Sequence, residues 1–254
     1  MSEDQSTVRH RPNRSTDSKD PHGNNTKSLP SQSFSSGYSH DLQDYPSTSL
    51  SGSLPEVGTK IFELERTGYL LNYRVLDNDK KPIYYVTNST FTRGVPDVQI
   101  SVGSEKGGPV IAAARFIKFS LASRMELALG DPASEITGGD VYWEEFYRER
   151  SWTLSTYKFS IMVNDQRRNF LWKRTHDSKH GVKGVEKISF FNYKLVEEGQ
   201  EDKILAVYLN SALHGLSNQG KIMMHVNLGK DWQTWVLISA LSLLEKNRRR
   251  VRRS

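Results

Sequence analysis

Thirteen residues near the C-terminus, Trp232 to Leu244, constrain this chain more than any other segment. Asp231 precedes them as a candidate N-cap, and the run continues through Glu245 with helical character. Trp235, Val236, Leu237, Ile238, Ala240, Leu241, Leu243 and Leu244 point in nearly every direction around such a helix. A helix that is apolar all round either spans a membrane or is enclosed by protein. At 1.5 Å per residue this one reaches ~20 Å, short of a ~30 Å hydrocarbon core. It also contains Ser239 and Ser242. Enclosure is therefore expected, and no transmembrane span.

The rest of the chain supplies an enclosure. From Ile61 onward the dominant period is two: Val98, Ile100 and Val102 alternate with polar residues, as do Tyr157, Phe159, Ile161 and Val163. The same holds for Ile222, Met224, Val226 and Leu228. Turn residues separate the runs, for example Asp77-Asn78-Asp79, Gly107-Gly108-Pro109, Gly130-Asp131-Pro132 and Asn164-Asp165. The pattern predicts about twelve strands. They lie near 61–66, 69–76, 83–87, 97–102, 110–119, 123–129, 141–148, 152–163, 168–175, 187–196, 203–209 and 220–228. No unit of 20–50 residues repeats, so a propeller or solenoid is not expected. Twelve one-faced strands and one helix without a polar face fit together if the sheet closes around the helix. The predicted fold is mainly β: a closed antiparallel barrel of about twelve strands enclosing a C-terminal hydrophobic helix at about 231–245.

Composition sets the boundaries. Residues 1–57 hold 14 Ser and five of the nine Pro, with few apolar side chains, and read as a disordered leader. The barrel is expected over 58–245 and a basic tail over 246–254. With no cysteine, the chain has no disulfide framework, thiol nucleophile or thiolate metal site. Residues 1–28 lack the apolar run of a signal peptide, so the expected location is cytoplasmic, with a membrane-peripheral or nuclear site as further options.

Several phrases resemble the tubby C-terminal-like superfamily, which includes tubby proteins, LURP-one-related proteins and phospholipid scramblases. These are Lys81-Pro-Ile-Tyr-Tyr-Val-Thr-Asn88, Ser123-Arg-Met-Glu-Leu-Ala-Leu-Gly-Asp-Pro132, the hairpin from Tyr157 to Thr175, and Gln233-Thr-Trp-Val-Leu-Ile-Ser-Ala-Leu241 after a strand. The resemblance spans about 58–245, and the chain looks most similar to uncharacterised tubby-like proteins of filamentous fungi. The resemblance implies a twelve-stranded barrel threaded by a C-terminal helix, and binding of lipid or a protein partner. The acidic calcium-binding segment of scramblases and the bipartite tubby signature are not recognisable here.

Catalytic motifs are missing from the sequence. His214-Gly-Leu-Ser217 lacks the spacing of a nucleophile elbow, and Gly103-Ser-Glu-Lys-Gly-Gly108 lacks the ending of a P-loop. His176 and His180 have no third ligand nearby in sequence, and neither metal nor cofactor is expected. Charge is more informative. Between Asp165 and Lys187 seven basic residues face three acidic ones: Arg167, Arg168, Lys173, Arg174, Lys179, Lys183 and Lys187. Arg115, Lys118 and Arg124 form a second cluster, and Lys246, Arg248, Arg249, Arg250, Arg252 and Arg253 crowd the tail. The tail carries all of the formal net charge of +6, since residues 1–245 balance to zero. These clusters predict a non-enzymatic module that binds anionic phospholipid, such as a phosphoinositide, or a protein partner. Two alternatives stand beside it. One is a nuclear or nucleic-acid-associated regulatory protein that uses the basic tail. The other is a scramblase-like membrane-associated protein.

Overall fold

A computed structural model of the chain describes residues 58–68, 71–90, 92–117, 124–137, 141–149, 156–183, 189, 191–211 and 218–251. The proposed leader at 1–57 lies outside them, as do Lys118, Lys187, Arg252 and Arg253. Twelve strands follow in chain order: β1 (Lys60–Thr67), β2 (Asn72–Leu76), β3 (Pro82–Asn88), β4 (Val98–Val102), β5 (Val110–Phe116), β6 (Met125–Leu129), β7 (Trp143–Arg148), β8 (Tyr157–Val163), β9 (Gln166–Arg174), β10 (Tyr193–Glu197), β11 (Gln200–Asn210) and β12 (Asn218–Met224). Each pairs antiparallel with its sequence neighbours, and β1 pairs with β12 to close the barrel. A single α-helix, α1 (Lys230–Val251), ends the described chain.

Alternation decides which side chains face inward. Phe62 and Leu64 of β1, Val98 and Ile100 of β4, Phe159 and Ile161 of β8, and Phe170 and Trp172 of β9 are all buried in one core with α1. That core draws on every strand, and Trp232 and Thr234–Glu245 of α1 are all buried. The two serines within the helix keep their hydrogen bonds. Ser242 Oγ donates to the Ile238 carbonyl at 2.7 Å. Ser239 Oγ donates to the Val236 carbonyl and accepts Trp172 Nε1 from β9 at 2.9 Å. A buried hydroxyl satisfied in this way carries little penalty.

The helix is off-centre. It lies nearest β4, β5 and β6, where β5 presents the small side chains of Ala112 and Ala114 to it. Large rings fill the wider gap on the other side. Phe146 meets Phe159 edge-on at a centroid spacing of 5.7 Å, Phe159 stacks on Phe170 at 5.5 Å, and Tyr157 and Tyr193 meet edge-on at 6.1 Å. Small residues on one arc and aromatic ones on another fit the wall to an off-centre rod. Among the described residues, no helix is long and apolar enough to cross a membrane.

Two details differ from the sequence reading. Asp231 lies in the first turn rather than at the cap, because α1 begins at Lys230; a carboxylate there still complements the helix dipole. The helix also continues past Glu245 to Val251, so residues 246–251 are a last turn and a half rather than a separate tail.

Replacing Ala112 by Leu should test the close contact of β5 with α1. The larger side chain has no room, and the loss should be about 1–3 kcal/mol, read as a lower urea midpoint with an unchanged slope.

Candidate functional site

The barrel has two unequal ends. Where α1 begins, the hairpin turns are as short as residues 164–165 and 198–199. Where α1 ends, the connections are longer, reaching 175–192 between β9 and β10. The last turns of α1 meet the barrel wall at this second end, called the mouth below.

On the wall, the sequence-predicted cations are largely neutralised. Arg115 pairs with Glu126, its cross-strand partner, and Arg124 lies 3.7 Å from Glu145. Arg167 meets the buried Glu144 at 2.6 Å, Arg168 forms a two-pronged pair with Glu197, and Lys173 meets Glu201 at 2.6 Å. Lys158, outside the predicted clusters, pairs with Glu198 at 2.6 Å. Carboxylates from adjacent strands thus balance the stretch that looked basic in sequence. Lys179 is exposed within the short 3-10 turn Ser178–His180, which Asp177 caps, and Lys183 is exposed just beyond it. His180 Nδ1 is 2.6 Å from Thr175 Oγ1, and burial lowers its pKa.

At the mouth the arrangement changes. Successive residues of α1 turn by 100°, so its last turns face three different arcs of the wall. The first arc is a lock. Glu245 is fully buried and accepts Arg249 Nε at 2.6 Å and Arg248 Nε at 2.6 Å. Arg249 continues outward, with Nη1 2.6 Å from Asp97 Oδ1, Nη2 donating to the Ser89 carbonyl at 2.8 Å, and its guanidinium 4.5 Å from the Phe116 ring centroid. The helix end is thereby tied to the segment between β3 and β4.

A second arc carries cations without carboxylates. Lys246 Nζ sits 4.3 Å from the Tyr157 ring centroid and has no hydrogen-bond partner. Tyr157 lies opposite Arg148 of β7 and next to Trp172 of β9. Arg174, two residues beyond Trp172 on the same face, has a buried Nε without a partner. Neither Arg148, Arg174 nor Lys246 forms an ion pair among the described residues. Burial, with Arg148 and Arg250 nearby, pushes the Lys246 amine down to about 7. Burial and the neighbouring Tyr193 push the Tyr157 hydroxyl up, against the pull of Arg148, Arg174 and Arg250. A cation–π contact compensates only part of the desolvation of an ammonium. This corner is short of negative charge.

The third arc holds Asn247 and Arg248 opposite Arg66 of β1, beside a cavity described below. Sequence reasoning had selected Arg174, Lys246, Arg248, Arg249 and Arg250, all now at or near the mouth. It missed Arg66 and Arg148. Both sit at spacing two from an inward apolar residue, Leu64 and Phe146 respectively, within the last two residues of their strands. That parity is the signal that could have found them.

Two outcomes test this electrostatic picture. Glu245→Gln keeps the shape but leaves two guanidinium groups without their shared carboxylate, and should cost about 3–5 kcal/mol in chemical denaturation. Lys246→Met should alter the pH dependence of stability. Unfolded, the amine keeps its proton up to its ordinary 10.5; folded, it releases it from about 7. The unfolded chain binds more protons between those values, so the parent gains stability with rising pH there. Melting curves should show the variant more stable than the parent near pH 7 and the gap closing toward pH 10.

No family model matches the chain, and no curated protein matches it. Among solved structures, it is similar to an X-ray structure of a protein from Arabidopsis thaliana, at 14% identity and a TM-score of 0.43, over 75% of this chain and 91% of that one.

Proposed function

We propose that the chain is a non-enzymatic, tubby-like module that binds anionic phospholipid at the mouth of its barrel. The observation that carries this reading is the second arc: Lys246, Arg148 and Arg174 converge around Tyr157, with Lys246 Nζ and Arg174 Nε buried and unpaired, while the cations on the wall face carboxylates. A phosphate headgroup supplies what this corner lacks. Its oxygens accept charge-assisted hydrogen bonds from ammonium and guanidinium together. Arg148 is exposed and Arg174 and Lys246 are half-buried, so the donors grade from solvent inward. The tubby-like assignment rests on the sequence resemblance together with a twelve-stranded barrel closed around a C-terminal helix.

Lys246 adds a condition. A bound anion favours its charged form, so binding takes up a proton wherever the free amine is neutral. Affinity should therefore be higher at pH 6 than at pH 8.

Sedimentation with vesicles tests the reading. Vesicles carrying a phosphoinositide should capture the protein at low salt and release it at high salt, and vesicles of phosphatidylcholine alone should not capture it. At ~1 kcal/mol per cation, the double change Arg148→Ala and Arg174→Ala should weaken capture roughly 30-fold. Arg115→Ala with Arg167→Ala, two paired cations of the wall, should change it little. Capture that survives the mouth variant and is lost in the wall variant would overturn the reading.

A further inference from the structure

A cavity of about 290 Å³ opens on the third arc of the mouth, and the lipid-surface reading makes no use of it. Leu71 and Phe191 from the barrel rim and Leu244 from α1 give it apolar walls. Tyr73, Asn210 and Gln219 are part of its polar lining, and three further polar groups there are unmatched. Arg66 Nε, Asn247 Nδ2 and Arg248 Nη1 are all buried and all lack a hydrogen-bond partner. Each is a donor, and no carboxylate is among the lining residues.

The surroundings hold these donors in place. Arg66 follows Phe62 and Leu64 on the inward face of β1, so the strand's own pleat turns a guanidinium toward the core. Arg248 is gripped at Nε and Nη2 by Glu245, which leaves Nη1 as its remaining group. Asn247 is only 6% exposed and has little freedom to turn its amide to solvent. Buried donors are nearly always matched by an acceptor, and three unmatched ones around one cavity mark a place where an acceptor belongs.

Size narrows the choice further. A dry cavity of roughly 150 Å³ holds a benzene molecule, so this one has room for about a dozen non-hydrogen atoms. Apolar walls with a few convergent polar groups are the usual form of a small-molecule site.

We infer that this cavity binds a small amphipathic acid. The anionic head, a carboxylate or phosphate, takes the donors of Arg66, Asn247 and Arg248, and the apolar body lies against Leu71, Phe191 and Leu244. The site stands on the far side of α1 from Lys246 and does not depend on the vesicle-binding reading. The acid is either free in solution or borne by a lipid, and both sources present the same head to the same donors.

Isothermal titration of the full chain with decanoate, decanol and decylamine tests the assignment. Decanoate should bind saturably, and decanol and decylamine should bind at least tenfold more weakly. Arg66→Met and Asn247→Leu each remove one donor at similar volume, and each should weaken decanoate roughly tenfold or more while the melting transition remains cooperative. The Arg148→Ala, Arg174→Ala double variant should keep its decanoate affinity, which separates this site from the vesicle surface. Displacement of decanoate by vesicles containing phosphatidic acid, but not by phosphatidylcholine alone, would assign the acid to a lipid; retention would assign it to a free acid. Equal affinity for decanol and decanoate would show a merely apolar hollow and overturn the inference, as would no decanoate binding by the parent chain.

Discussion

A helix that is apolar on every side cannot lie on a surface, and the rest of this structure follows from the need to cover α1. A flat sheet covers one side of a helix, and two packed sheets cover two. Only closure covers all of them, and closure needs enough strands to leave a helix-sized lumen, since eight-stranded barrels are filled by their own side chains. Twelve strands meet that requirement here. The lengths agree too. The thirteen helical residues Trp232–Leu244 reach ~20 Å, close to the height of seven-residue strands at 3.3 Å per residue once their tilt is allowed for. What protrudes past that height is the basic part of α1, which is why the charge of the chain collects at one mouth.

Much of this could be read from the chain itself. A predicted period-two run overlaps each of the twelve strands, because a one-faced strand must alternate whatever its neighbours are; the runs at 152–163 and 187–196 begin in residues outside the described ones. β11 is the instructive exception in character. Leu205 to Asn210 are all buried, since Val182 and Met223 pack with Val207 and Leu209 on its outer face, so its run is nearly continuous rather than alternating. Strand partners were less accessible. That Glu197 faces Arg168, or Glu126 faces Arg115, depends on the register between strands, and a local charge count along 165–187 cannot see it. The extension of α1 through Val251 was hidden for a related reason. Six basic residues in nine read as a solvated tail, and the partners that hold Arg249, Asp97 and Ser89, lie some 150 residues earlier.

The treatment of charge divides the molecule. On the wall each cation just named meets a carboxylate across a strand boundary, an arrangement that contributes modestly to stability but leaves little net field. Deeper in, Glu245 occupies a position that a helix with an all-apolar circumference would otherwise give to another leucine. Burying a carboxylate there is tolerable only because two guanidinium groups surround it. The reward is positional. Arg249 fixes the end of α1 against the β3–β4 segment, and that fixes where Lys246 and Arg248 point on the remaining two arcs.

The helix direction disfavours an anion at the mouth unless something overrides it. Unpaired carbonyls at a helix C-terminus carry about half a negative charge, which attracts cations and repels a phosphate or carboxylate. Two or three basic residues would offset that. Lys246, Arg248, Arg249 and Arg250 crowd the last two turns, and Arg66, Arg148 and Arg174 join them from the ends of β1, β7 and β9. The carboxylates of the lock, Glu245 and Asp97, are committed to Arg248 and Arg249. The surplus on the other two arcs therefore exceeds what helix capping requires. A chain under selection for stability alone could shed it, because neutral side chains at Lys246 and Arg66 would remove buried, unmatched donors at no cost to the barrel.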